Sequence, residues 1–200
     1  KNLKLKESPE LGIYVEGLPQ TEVQQAEEAH ILLEHGAQAR YRSDSRDTRH
    51  AARSHCIFTI SIEQNVHASS WHTSKLDLVE LAGSEKLNAS AEGLSSKEAK
   101  AMQLSMATLT QCVKALGGVS KKNDKDPTVP FKDSKLTRLL QTALAGRARM
   151  AVVACLMPHT IDAAIKTLNF TTDMQKMSAL RDVGQDSPEM MQLKFERLQK

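Results

Sequence analysis

The ten residues Leu76-Asp77-Leu78-Val79-Glu80-Leu81-Ala82-Gly83-Ser84-Glu85 constrain this chain more than any other stretch. An apolar run stops abruptly on a small turn, with the carboxylates of Glu80 and Glu85 beside it. A nearly unbroken apolar stretch is the pattern of a parallel strand buried on both faces, and ligands gather where such strands end. Gly83 lets the backbone come close to a phosphate. The pattern predicts a buried strand that delivers charged groups and a backbone N–H to a nucleotide. The other half of such a site, a G-x-x-x-x-G-K-[ST] loop, is absent from the sequence. Gly12 and Gly17 have the glycine spacing, but Leu18-Pro19 follow where Lys-Thr is needed.

The surrounding periodicities predict the other elements. Leu3 to Leu18 reads as two short strands joined at Ser8-Pro9-Glu10, a surface hairpin, since Lys4, Lys6 and Glu16 alternate with apolar neighbours. Thr21 and Gln24 form a capping box ahead of a helix carrying Val23, Ala26, Ala29 and Leu33, and Gly36 predicts its stop. The stretch Ala37 to Arg53, rich in Arg and Asp, predicts a long loop that contacts a partner. Cys56 to Ile62 is a strand, and Ala68-Ser69-Ser70 turn the chain back into the strand that opened this section. Met102, Met106, Leu109, Val113 and Leu116 form the stripe of a long helix, Lys97 to Leu116, stopped by Gly117-Gly118. After the charged loop Lys121 to Asp126, Pro127 and Pro130 bracket an extended segment and Ser134 caps a helix from Lys135 to Leu144, ended by Gly146. Met150 to Met157 reads as a further strand closed by Pro158, and Thr160 caps a helix to about Lys176. The order β, α, β, β, α, α, β, α is that of an α/β protein, a layered sheet covered by helices. In the polar tail from Asp186 to Lys200, Met191, Phe195 and Leu198 fall at helical spacing.

Two hundred residues with 40% hydrophobic content suit one globular domain with a real core. A net charge of +3 does not argue for nucleic acid, and no stretch reaches the roughly 18 apolar residues of a membrane span. Neither is expected as a partner. Cys56, Cys112 and Cys155 are odd in number and set in apolar surroundings, which fits buried thiols in a reducing, intracellular compartment and no metal centre. His50 and His55 have no third ligand in register, so both read as structural histidines. The chain opens on Lys1-Asn2-Leu3-Lys4 without methionine and is expected to be a fragment.

Three landmarks, Ala52-Arg53-Ser54-His55, Leu81-Ala82-Gly83-Ser84-Glu85 and the run from Pro130 to Leu140 (PFKDSKLTRLL), resemble those of the kinesin motor domain, in that family's order. Gly12 to Leu18 and Thr167-Leu168-Asn169-Phe170 add to the resemblance, which covers about Leu3 to Met177 and corresponds to the second half of such a domain. It implies a three-layer P-loop NTPase fold, a central mixed sheet with helices on both faces, of which only this half is present. Residues 1–178 would be motor domain and 179–200 a neck or linker starting a helix. In that fold the missing phosphate-loop strand lies between the strands at Met150 and Leu76, so either an upstream half of the head or another chain is expected to complete the sheet.

The resemblance also implies site roles. The first landmark resembles switch I, in which two serines before the arginine help hold magnesium and the γ-phosphate; here they are Ala51 and Ala52, and Thr48 stands where the family usually has Asn. A methyl group cannot ligate a hard cation. The second resembles switch II, with Glu80 in place of the magnesium-orienting Asp and the Gly83 N–H facing the γ-phosphate. One added methylene moves a carboxylate on the order of 1 Å, a displacement that can cost roughly a hundredfold in rate. Arg53 and Glu85 match the ion pair that closes the two switches on each other. The resemblance thus implies Arg53, Glu80, Gly83 and Glu85 as switch residues, Ser54 and Gly83 as nucleotide contacts, and ATP with Mg2+ as the family cofactors. In the long helix Gln103-Leu104 replace the family's Asn-Lys. Lys132, Lys135, Arg138 and Arg147, with Arg149, put positive charge where the family meets acidic tubulin, and Lys121, Lys122 and Lys125 could extend it.

Two functions follow as expectations: part of an ATP-dependent microtubule motor head with divergent switches, or a non-motile, structural microtubule-associated protein without productive ATP hydrolysis. Both place the protein in the cytoplasm on the cytoskeleton. The strand Cys56 to Ile60 has the flavour of kinesins associated with cilia, which adds the axoneme as a possible location.

Overall fold

The computed structural model describes residues 3–8, 12–42, 54–67, 70–83, 96–118, 129–156 and 161–180. Its elements are β1 (Leu5–Ser8), β2 (Gly12–Val15), α1 (Ala26–Arg42), β3 (Cys56–His67), β4 (Ser70–Glu80), α2 (Ser96–Leu116), a 3-10 turn (Phe131–Asp133), α3 (Lys135–Leu139), a π-helical turn (Ala143–Arg147) and α4 (Ile161–Leu180). They belong to two compact units, residues 1–4 with 15–106, and residues 5–14 with 107–200. Among the described residues no helix is long and apolar enough to cross a membrane.

In the first unit β3 and β4 form an antiparallel hairpin, in register from Cys56↔Glu80 to Asn65↔Trp71, with an irregularity between Asn65 and His67. The register partners Thr59 and Asp77 are joined by a 2.6 Å hydrogen bond from Thr59 Oγ1, and Lys75 Nζ lies 3.0 Å from the same carboxylate. This corrects the reading of Leu76 to Glu80 as a buried parallel strand. β4 pairs with the strand just before it in sequence, and Leu76 and Leu78 are each 49% exposed. The short connection at 68–69 makes antiparallel pairing the local solution. An apolar run can also arise on a hairpin whose faces await cover.

Helix α1 also departs from expectation at both ends. It starts at Ala26, where the Glu28 carboxylate accepts the N–H groups of Gln24 (2.7 Å) and Gln25 (3.3 Å), so Glu28 rather than Thr21 caps the first turn. It then runs through Gly36 to Arg42, beyond the predicted stop. A glycine inside a helix costs only about 1 kcal/mol relative to alanine, and Ala37, Gln38 and Ala39 restore favourable propensity after it. The remainder of the predicted loop, residues 43–53, lies outside the described residues.

β1 and β2 pair as the expected hairpin, and Gly12 (φ 65°), which opens β2, and Gly17 (φ 72°), which follows it, take the left-handed backbone. The core of the second unit is built by Leu109, Cys112 and Val113 of α2, Leu136 of α3, Leu144, and Met174 and Met177 of α4, with Thr108 and Thr137 buried among them. Of the stripe predicted from periodicity, Leu109 and Val113 are buried here, while Met102, Met106 and Leu116 are half-buried. Gly117 closes α2 with a 2.9 Å hydrogen bond from its N–H to Val113 O. A Cβ on it would lie 3.3 Å from Val113 O, a tight approach, and 3.7 Å from Asp173 O and Met177 N of α4, which is ordinary contact.

Two predictions in this unit change. The α-helix after Ser134 ends at Leu139 rather than Leu144; the chain continues through a wide π turn in which Gly146 adopts φ 81°. Residues 150–156, read as a strand, lie outside any helix or strand, and Val153 is 85% exposed. A strand exists only through a hydrogen-bonded neighbour, and among the described residues none pairs with this segment. The predicted Thr160 cap and the Lys121–Asp126 loop lie outside the described residues.

Candidate functional site

The hairpin register brings the first two landmarks together. With Cys56 opposite Glu80, the residues just before β3 meet those just after β4. Ala82, 3% exposed, donates its backbone N–H to His55 Nδ1 at 3.0 Å. A ring nitrogen that accepts carries no proton, so the imidazole proton sits on Nε2, which lies 2.7 Å from Ser105 Oγ of α2 and donates to it. Ser105 passes its own proton to Met102 O at 2.8 Å. One chain of hydrogen bonds thus links the turn after β4, the start of β3 and helix α2.

Around this chain, Ser54 and Glu80 are exposed and Gly83 is half-buried. Arg53, Glu85 and the alanines 51 and 52 lie outside the described residues. The Glu80 carboxylate and the Ser54 hydroxyl offer oxygen to a cation, whereas the Gly83 N–H can only donate a hydrogen bond. Among the described residues no three His, Cys, Asp or Glu side chains converge on a metal position. No chemical step is assigned to these residues alone.

The second unit builds a basic surface on a rigid turn. Pro130 ends the preceding segment, Phe131–Asp133 make one 3-10 turn, and Ser134 starts α3 by accepting the Thr137 N–H on its Oγ at 3.3 Å. Thr137, fully buried, returns its hydroxyl proton to Phe131 O (2.9 Å) and Ser134 O (3.1 Å). This double contact ties the turn to the helix, while Leu136 anchors both in the core. Lys132 and Lys135 are left exposed, as are Arg147 and Arg149 beyond the π turn. Arg138 is half-buried and lies 3.7 Å from the Glu7 carboxylate of β1. Asp133, in the same turn, adds to the effect of burial in pushing the Cys112 thiol up to about 11.

The predicted basic residues 132, 135, 138 and 147 therefore belong to one unit, three of them on a single capped turn. Sequence reasoning missed Glu7, because nothing local pairs a hairpin carboxylate with an arginine 131 positions on. His55, read as a structural histidine, is held on both ring nitrogens, but its partners Ala82 and Ser105 were not foreseen. The signal that could have revealed its link to Ala82 is the hairpin register.

The model of the kinesin motor domain matches residues 1–177. Kinesin-related protein 5 of Dictyostelium discoideum is 39% identical over 173 residues, 85% of this chain and 17% of its own length. Kinesin-like protein KIN-1 of Arabidopsis thaliana is 37% identical over 84% of this chain and 37% of its own. Among solved structures, a fast kinesin superposes with a TM-score of 0.71 at 30% identity, covering 86% of this chain and 49% of that one. The two-heads-bound KIF14 dimer, solved with AMP-PNP in complex with a microtubule, gives 0.72 at 30% identity over 87% and 50%. The chain spans about half the length of these solved chains, and less of the curated relatives.

Proposed function

This chain belongs to the kinesin motor-domain family and carries part of its P-loop NTPase fold, and from that premise we propose that it is the switch-bearing, microtubule-binding half of a motor head with divergent switches. The observation that carries this reading is the capped turn at 131–138. Thr137, Ser134 and Leu136 hold the backbone that carries the exposed Lys132 and Lys135 on a rigid base, and a preorganised backbone suits an acidic partner because less backbone entropy is lost on contact. Tubulin is that partner; microtubules appear in the KIF14 complex this chain resembles. Residues 1–178 form the motor portion and 179–200 the start of a neck, with α4 running to Leu180.

Arg53 and Glu85 act as the latch between switches, Glu80 and Gly83 face the nucleotide side, and Ser54 contributes a hydroxyl. ATP and Mg2+ would be held chiefly by a phosphate loop supplied by the upstream half of a head or by another chain. The same complement would pair with residues 150–156, where Val152, Val153 and Leu156 are exposed apolar residues on a segment that has no strand partner among the described residues. Such a protein works on cytoplasmic microtubules, with the ciliary axoneme as the finer assignment.

A second reading, a non-motile microtubule-associated protein, is favoured by one specific observation: alanines at 51 and 52 offer no oxygen to a cation. Steady-state ATPase of the full-length protein carrying this chain, with and without microtubules, separates the two. We expect weak or no stimulation. Turnover at the level of a transport motor would overturn the divergent-switch reading.

A further inference from the structure

We infer that His55 is a positioning residue that fastens the turn after β4 to helix α2. Three distances carry this: Ala82 N to His55 Nδ1 at 3.0 Å, His55 Nε2 to Ser105 Oγ at 2.7 Å, and Ser105 Oγ to Met102 O at 2.8 Å. The hydrogen-bond directions are mutually consistent only with the neutral Nε2–H ring. Each proton has one acceptor along the line, so the Ala82 N–H, one residue before Gly83, is fixed to a side chain of α2 that lies 23 positions further along the chain. The imidazole bridges Ala82 to Ser105. A small displacement of the Gly83 backbone therefore pulls on α2 through the ring rather than through the peptide chain. Packed side chains and hydrogen bonds of this kind carry coupling between sites when the elements they join have two arrangements.

The two ring nitrogens can be tested separately. His55→Asn keeps an acceptor where Nδ1 stood and loses the reach to Ser105. Ser105→Ala removes the far end of the bridge without touching β4. Amide hydrogen exchange at Ala82 in the full-length protein should rise severalfold in Ser105→Ala, with a similar rise in His55→Asn, and the double variant should add nothing to either. Unchanged exchange at Ala82 in Ser105→Ala overturns the proposal. Should either variant fail to fold, the imidazole nitrogen shifts of His55 in the unmodified protein decide: an Nε2–H ring supports the bridge and an Nδ1–H ring excludes it. The consequence for function rests on the microtubule reading above. If the unmodified protein binds microtubules with an affinity that changes on adding an ATP analogue, Ser105→Ala should bring that change to within about twofold of none while binding persists. An intact nucleotide effect in Ser105→Ala counts against the bridge as a transmitter, whereas failure of the unmodified protein to bind microtubules at all removes the functional reading and leaves the exchange result standing.

Discussion

The Arg138 guanidinium lies 3.7 Å from the Glu7 carboxylate, so the hairpin β1–β2 partly neutralises the innermost cation of the basic turn. An exposed pair of this kind contributes about 0–1 kcal/mol and yields to a stronger partner. Two changes of opposite sign follow. Glu7→Gln should strengthen co-sedimentation with microtubules up to roughly threefold at low salt, because it removes a competing negative charge. Reversing Lys132, Lys135 and Arg138 to Glu should weaken it by about tenfold or more, and unchanged binding at low salt would take these residues out of the interface.

Thr137 tests whether the rigidity of that turn matters. Thr137→Val preserves shape but leaves Phe131 O without its hydroxyl donor in a buried setting. Losing such a bond costs about 1–3 kcal/mol, read as a lower urea midpoint with unchanged slope. Microtubule affinity should fall with it even though every positive charge is retained.

Cys112 gives a pH dependence. Burial, aided by the Asp133 charge, raises its thiol from 9.0 to about 11. The folded state therefore holds the proton over a range in which the unfolded chain releases it. The contribution to stability is fully present below pH 9 and is lost as pH rises toward about 11. Urea midpoints measured from pH 8 to 10.5 should decline more steeply in the unmodified protein than in Cys112→Ala. Equal slopes would mean that the thiol ionises freely in the fold.

Cys155 reports on the missing strand partner. It is exposed within residues 150–156, whereas Cys112 is buried. In this chain alone a small alkylating reagent should modify Cys155 rapidly and Cys112 only on unfolding. When a complementary half of a head is supplied, Cys155 should slow by at least tenfold as the segment becomes a paired strand. Equal labelling with and without the complement would argue that the segment is not its docking edge.

The contrast between these residues shows which parts were legible in advance. The α2 stripe, Ser134 as cap, the turn glycine at 146 and the β1–β2 hairpin were all readable, because each rests on physics among residues a few positions apart. The basic turn was legible as a landmark, but what makes it rigid was not. That is the Thr137 hydroxyl turned inward onto Phe131 O, and a threonine in a helix pattern does not announce which way it points. The strand at Met150 was misread for a related reason. Apolar β-branched residues show that a segment can be a strand, while only a neighbour makes it one.

Sequence alone determined the family landmarks, the presence of helices α1, α2 and α4 and of the β1–β2 hairpin, and the replacement of oxygen ligands by methyl groups at 51 and 52. Those are properties of residue types at fixed spacings along the chain. The tertiary structure decided that β4 pairs antiparallel to β3, that Glu7 shields Arg138, and that His55 bridges Ala82 to Ser105. The last two depend on contacts between residues from 27 to 131 positions apart, and such distances are set when loops close and cores pack, not by any local pattern.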